Sequence, residues 1–286
     1  MLALTAATLY GVSQAMGKYV IDKLSAPMMV FINFVVTMPI YLLFLGAFLL
    51  STGPWMAGVE PIFYGLVAAL LGRAGYYTYL EAVEKGPVMI VGSITAAYPA
   101  IITILAITFL HETVTAVQAA GIAVIIGGLI GLSLSHEGSG SRSQLSRSSL
   151  VLSLVTLGIW GVWGVFVKKA LLVLPIVYYL GLYAIVLPPL FLIYARHKKA
   201  SGTRMVPKWS VPVVVAVIAA EIGQIALFAD TSAVAIGEAA VVFPLIASYP
   251  IIMILLAYGF LKERLSRRDI LMVVAVVAGI VLVSTV

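Results

Sequence analysis

Two charged side chains stand out inside long apolar runs: Arg73 in LLGRAGYYTYL and Glu221 in VIAAEIGQIALF. A charge at bilayer depth costs at least a few kcal/mol unless it faces protein or water, so deep ionisable residues are candidates for function. Arg73 would hold a carboxylate through two parallel hydrogen bonds. Glu221 would bind an ammonium group or carry a proton. The competing reading is a buried Arg–Glu ion pair that only locks the structure, since charges at this depth usually find one another. Helical spacing gives each charge a polar face. Arg73 shares one with Tyr76, Tyr77 and Leu80, and Glu221 shares one with Gln224, Ile225 and Phe228.

Further polar and aromatic side chains lie at similar depth. Gln14 and Asn33 are single amides, which contact a substrate or simply bridge helices at about 1 kcal/mol each. Tyr98 and Tyr249 each precede a proline. Trp160 and Trp163 offer an aromatic surface to a cation or belong to the packing. Tyr178, Tyr179 and Tyr183 follow in the next apolar run.

Other chemistries lack their residues. The chain has three histidines, His111, His136 and His197, isolated between apolar runs, and no cysteine. Metal-ligand spacing, a nucleophile–base set and a phosphate-cradling glycine loop are all missing. No enzyme, no cofactor and no metal is therefore expected. The net charge of +6 comes from basic residues between apolar runs. That pattern suits lipid headgroups rather than nucleic acid.

These side chains must be held by helices in a membrane. Of the 286 residues, 63% are hydrophobic and 10% charged, against roughly 25% charged in a soluble domain. Ten apolar segments can be counted, at about 2–20, 27–50, 61–81, 87–110, 115–135, 149–170, 175–195, 210–232, 238–261 and 268–286. Roughly 20 apolar residues span a bilayer as a helix, and helices satisfy every backbone group internally. Met1 leads straight into the first run without a basic stretch, so no cleavable signal peptide is expected. The expected fold is an all-α membrane protein, an integral multi-pass chain of ten transmembrane helices.

The chain also repeats itself. AAYPAIITILAITFLHE begins at Ala96, and ASYPIIMILLAYGFLKE begins 151 residues later at Ala247, with nine of seventeen positions identical. The same offset carries Arg73 onto Gln224. YGVSQAMGKYV at Tyr10 is echoed by WGVWGVFVKKA at Trp160. The division is then residues 1–135 as a first five-helix repeat, 136–148 as a Ser/Gly-rich flexible linker, and 149–286 as a second repeat. An odd number of spans forces the two repeats into opposite orientations, as in secondary transporters with a site between inverted halves. Pro99 and Pro250 would kink the fourth and ninth spans, either as gating points or as static packing. Glu112 and Glu263 read as structural residues near helix N-termini, where negative charge is favoured. Thr115-x-x-Gln118 and Ser266-x-x-Asp269 read as caps of the following helices. Gly127-x-x-x-Gly131 and Ala275-x-x-x-Gly279 would let the fifth and tenth spans pack closely.

Five-plus-five spans, the early YG and WG, and the duplicated Pro–apolar–Phe-Leu-x-Glu-x-x-Thr/Ser ending resemble the drug/metabolite transporter superfamily, and within it the ten-helix EamA-like exporters. The resemblance covers nearly the whole chain. It implies a basket of helices around a midplane cavity and alternating access. It leaves the substrate open, because relatives move amino acids, drugs, sugar phosphates and nucleotide sugars. The expectation is a secondary transporter, an exporter of small amphipathic metabolites such as amino acids. It would act as a monomer in the cell membrane, with protons as the coupling ion. The alternatives are a phosphorylated or nucleotide-linked sugar carrier, a drug exporter, a passive channel or a structural membrane scaffold. Fourteen Lys/Arg fall in loops after odd-numbered spans and two, Lys168 and Lys169, on the other side. The positive-inside rule then places both termini outside, whereas the resemblance implies termini inside.

Overall fold

The computed structural model describes residues 1–21, 23–51, 58–86, 88–95, 97–135, 146–200, 202–252, 255–256 and 267–284. The helices are α1 (Leu2–Ile21), α2 (Ala26–Leu50), α3 (Val59–Lys85), α4 (Val88–Thr95), α5 (Tyr98–Phe109), α6 (Ala116–Ser135), α7 (Arg147–Leu171), α8 (Ile176–Gly181), α9 (Tyr183–Ala200), α10 (Val211–Ile236), α11 (Ala239–Ile246) and α12 (Arg267–Ser284). No strand occurs among the described residues. The all-α, two-repeat expectation is met. The proposed linker at 136–148 falls mostly outside the described residues, as do Glu263 and Ser266.

Local sequence marks many helix ends. Ser25 and Ser210 stand in extended backbone before α2 and α10, each with a proline in the first turn, where its missing N–H costs nothing. Ser146 caps α7, its hydroxyl accepting from the Ser149 N–H at 3.1 Å. Gly86 and Gly237 end α3 and α10 in extended conformation.

Packing runs mainly between the repeats. The first span, α1, lies along α10, and its counterpart α7 lies along α3. The second span, α2, packs on α8 and α9, and α6 packs on α12. Each of these contacts joins one half of the chain to the other. Close approach in the last pair is made by Gly121, Gly128 and Gly131: a Cβ on Gly128 would lie 2.5 Å from a Val276 methyl, and one on Gly131 2.3 Å from the Met272 sulfur. Gly131 and Gly279 make the expected close contacts, and Gly128 stands in place of Gly127. A Cβ on Gly127 would meet no atom within 4 Å, whereas one on Gly279 would lie 2.8 Å from the Gly121 carbonyl oxygen.

The two prolines act differently from the expectation. Instead of kinking one continuous helix, each seeds the second part of a broken one. The fourth span is α4, a turn at Ala97, then α5 with Pro99 in its first turn. The ninth span is α11, a turn at Ala247–Ser248, then helix resuming at Tyr249–Pro250. Bond for bond, the breaks match. The Ala97 and Ser248 N–H groups donate to Ile94 and Leu245 at 3.4 and 3.2 Å. Ala100 and Ile251 donate to Ala97 and Ser248, both at 3.0 Å. A further break, with no proline to announce it, divides α8 from α9 at Leu182. There Gly181 meets the α2 backbone so closely that a Cβ would sit 2.8 Å from the Leu45 nitrogen.

Candidate functional site

Arg73 sits mid-way along α3 and is 7% exposed. Its Nη1 donates to the Asn33 Oδ1 on α2 at 2.8 Å. Its Nη2 donates to the Tyr41 hydroxyl, which donates in turn to the Gln224 Oε1 on α10. The guanidinium carbon lies 5.3 Å from the ring centroids of both Tyr41 and Tyr183, and those rings stack on each other at 5.0 Å. The charge is therefore shared among neutral groups: an amide, a phenol and two aromatic faces. No ion pair joins Arg73 to Glu221 or to any carboxylate among the described residues. The expected Arg–Glu lock is absent.

Around this cation the helices bring more donors. Gly72 makes the room: a Cβ there would lie 2.9 Å from the Trp163 Nε1 and 3.1 Å from the Tyr183 hydroxyl. Trp163 Nε1–H is buried beside Tyr179 and Tyr183 without hydrogen-bond geometry to an acceptor. Tyr179 and Tyr183 share one hydrogen bond of 3.0 Å between their hydroxyls. Guanidinium, indole N–H and phenol O–H thus flank one stretch of α3. Such a group of donors suits an anionic substrate group, and a second cationic group would be poorly placed here.

A second polar assembly obeys the repeat. Tyr10 donates to the Asp230 Oδ2 on α10 at 3.1 Å, and its ring meets Tyr249 edge-on at 6.4 Å and 63°. The equivalent residues of the other half are Trp160, Tyr79 and Tyr98. Trp160 lies 5.6 Å from Tyr79 and meets Tyr98 edge-on at 5.8 Å and 70°. Gly75 admits the Trp160 indole, since a Cβ there would be 2.4 Å from Nε1. The trios Asp230–Tyr10–Tyr249 and Tyr79–Trp160–Tyr98 are built alike. They differ in charge at a single place, where Asp230 stands opposite Tyr79.

The remaining candidates are scattered. Tyr77 is buried against Tyr194 of α9 at 5.1 Å between ring centroids, in a small cluster with Ala26, Val30 and Leu80. Tyr76 and Gln14 are half-buried. Glu221 is exposed, in line with Val214, Ile218, Ile225 and Phe228, which are all exposed at helical spacing. That is the exposed stripe of α10, so Glu221 and Gln224 have different surroundings although three residues apart. Glu221 thus shares the exposed stripe with Ile225 and Phe228, whereas Gln224 is half-buried and turns to the Tyr41 hydroxyl.

The capping residues connect the halves. Thr115 and Gln118 make the expected reciprocal cap of α6, at 3.0 and 3.2 Å. Glu112 is structural, as expected, but it serves a helix of the other repeat. Its carboxylate accepts from the Ala239 and Ala240 N–H groups at the start of α11, at 2.9 and 2.8 Å. From the opposite side, Lys168 donates to the Val234 and Gly237 carbonyls at the end of α10, at 3.1 and 2.7 Å. The α10–α11 turn is thereby held by one charge of each sign, the signs that helix ends favour.

Sequence reasoning missed Tyr41, Asp230, Tyr79, Lys168 and Glu81. Glu81 holds Lys198 at 2.6 Å and the Tyr194 hydroxyl. Asp230 was obscured by position: the apolar run ends at about 232, whereas α10 continues to Ile236. The signal that finds it is the 151-residue offset, which lays Asp230 on Tyr79.

Comparison with known proteins agrees with this architecture. The profile of the EamA-like transporter family matches twice, over residues 1–134 and 147–285. An uncharacterized protein of Methanocaldococcus jannaschii is 40% identical over 73 residues, 26% of this chain and 53% of that protein. The match thus spans about half the length of this relative. A crystal structure of another protein superposes with a TM-score of 0.77 at 15% identity, covering 99% of this chain and 95% of that one. At that identity the likeness speaks for the fold.

Proposed function

The chain belongs to the EamA-like transporter family, an integral multi-pass membrane transporter of the drug/metabolite type, and from that premise we propose that it is a secondary exporter of small amphipathic metabolites such as amino acids. The observation that carries this reading is the setting of Arg73. A buried cation whose partners among the described residues are all neutral can accept a substrate carboxylate without first breaking an ion pair. Trp163 and Tyr183, beside Gly72, supply neutral donors to the same anion. Aromatic rings around the guanidinium supply an apolar wall for an amphipathic side chain.

Alternating access would use the matched breaks at Ala97 and Ser248. Each removes helix continuity at an equivalent place in the two repeats. Rocking about both breaks would expose the Arg73 surroundings to one side and then the other. The cell membrane is the proposed site of action, the protein works as a monomer, and protons are the coupling ion. A phosphorylated or nucleotide-linked sugar is the weaker reading, since one deep arginine offers little to a multiply charged phosphate.

The test is counterflow of a radiolabelled amino-acid panel in liposomes, wild type beside Arg73→Lys and Arg73→Ala. Saturable exchange that weakens in Arg73→Lys and vanishes in Arg73→Ala, with both variants folded, is the expected result. Exchange unaffected by Arg73→Ala would sink the carboxylate role. No exchange of any amino acid would move the proposal to phosphorylated or drug-like substrates.

A further inference from the structure

We propose that Asp230 is the proton-carrying carboxyl group of this transporter, an assignment that rests on the secondary-transport reading above. Asp230 is 3% exposed and lies six residues before the end of α10. Its hydrogen-bond partner is the neutral Tyr10 hydroxyl. Among the described residues it has no ion pair. An ionised carboxylate without a cation is costly in an apolar interior, and such a site is relieved by taking up a proton.

The surroundings isolate this event. Among the described residues, the titratable groups facing Asp230 are Tyr10 of α1, Tyr98 of α5, Tyr179 of α8 and Tyr183 of α9. All are phenols, which stay neutral across the ordinary pH range. From α2, Tyr41 engages Arg73 and Gln224. From α7, Lys168 reaches α10 at Val234, one turn further along, and is held there by backbone carbonyls. α11 contributes no titratable side chain. One group is therefore free to change charge.

Repeat symmetry makes the second argument. Position 79 of the matching trio carries a tyrosine whose ring packs on Trp160. The fold accepts a neutral aromatic there, so packing does not require a carboxyl group at 230. Glu221, the other acid of α10, stands on the exposed apolar stripe. The step itself is a proton transfer alone. The Asp230 carboxylate binds one proton from one side, and releases it to the other after the repeats have rocked.

Two readouts decide the matter. The first needs no substrate: infrared difference spectra of the purified protein across a pH step. The expected result is a carboxylic-acid C=O band that titrates in the wild type, is lost in Asp230→Asn, and shifts in Tyr10→Phe. The second is transport of a radiolabelled amino-acid mixture in liposomes, with and without a pH gradient. Asp230→Asn is expected to keep counterflow while gradient-driven accumulation falls to the equilibrium level, and Asp230→Glu is expected to restore part of it. A band unchanged in Asp230→Asn overturns the assignment. So does accumulation equal to wild type, and so does loss of counterflow in folded Asp230→Asn, which would place Asp230 on the substrate instead. Failure of counterflow in the wild type, with the infrared band behaving as expected, would count against the amino-acid reading and leave the proton site standing.

Discussion

Arg73 and Gln224, equivalent positions 151 residues apart in the two repeats, are joined through one hydroxyl, that of Tyr41. The phenol accepts from the arginine and donates to the amide. It sits on α2, so three spans from both repeats meet at a single oxygen. Tyr41→Phe removes that bridge and keeps the ring stacked on Tyr183. Hydrogen bonds to charged groups are worth about 1.5–3 kcal/mol, so half-saturating substrate concentration in counterflow is expected to rise roughly tenfold or more. An unchanged half-saturation would show that Tyr41 contributes by packing alone.

Gly75 sets how closely the Trp160 indole approaches α3. Gly75→Ala would push a methyl to 2.4 Å from Nε1, and overpacking of this kind costs about 1–3 kcal/mol. The thermal transition in detergent is expected to fall in Gly75→Ala and to hold in Gly46→Ala, where nothing lies within 4 Å.

Neighbouring glycines of α6 should respond in opposite ways. Gly128→Leu drives a side chain into Val276 and the Met272 carbonyl, whereas Gly127→Leu enters open space. Thermal stability separates them: the first is expected to lose folded protein and the second to retain it. Equal losses would restore the Gly127 register read from sequence.

Removing the Glu112 carboxylate leaves two α11 N–H groups without their acceptor. Loss of a capping side chain costs about 0.5–2 kcal/mol. Glu112→Ala is expected to destabilise more than Thr115→Ala, because Thr115 sits in exposed surroundings, while Glu112 is buried and spans the two repeats. The order of their thermal midpoints checks this.

Glu221→Leu completes the apolar stripe of α10. Exchange at the wild-type rate with equal or higher thermal stability is the expected outcome. A loss of exchange would return Glu221 to the substrate path.

Composition and run length made the membrane helices legible, and the offset made the repeat legible, because apolar length and duplicated motifs are local properties of the chain. That Arg73 must find polar partners inside the bundle was legible too, because a lone cation in LLGRAGYYTYL is costly in lipid. Its partners were not. Glu221 and Gln224 share a turn of sequence, and only the packing of α10 against α1 and α2 decides which of them meets Tyr41. The cross-repeat role of Glu112 was hidden likewise, since the N–H groups that donate to it lie 127 and 128 residues away. Pro99 and Pro250 were read as kinks because sequence shows that a proline interrupts a helix, but not whether the chain bends or restarts there.

The Glu112 cap, the α1–α10 and α3–α7 contacts and the α6–α12 seam share one property: each side of every pair belongs to a different half of the chain. A half translated alone would present those surfaces bare and leave the α11 start uncapped. In its contacts the protein is a pair of intertwined subunits that happen to share one backbone, and its interior is their interface. Two halves made as separate chains in the same membrane would therefore find their complement in each other.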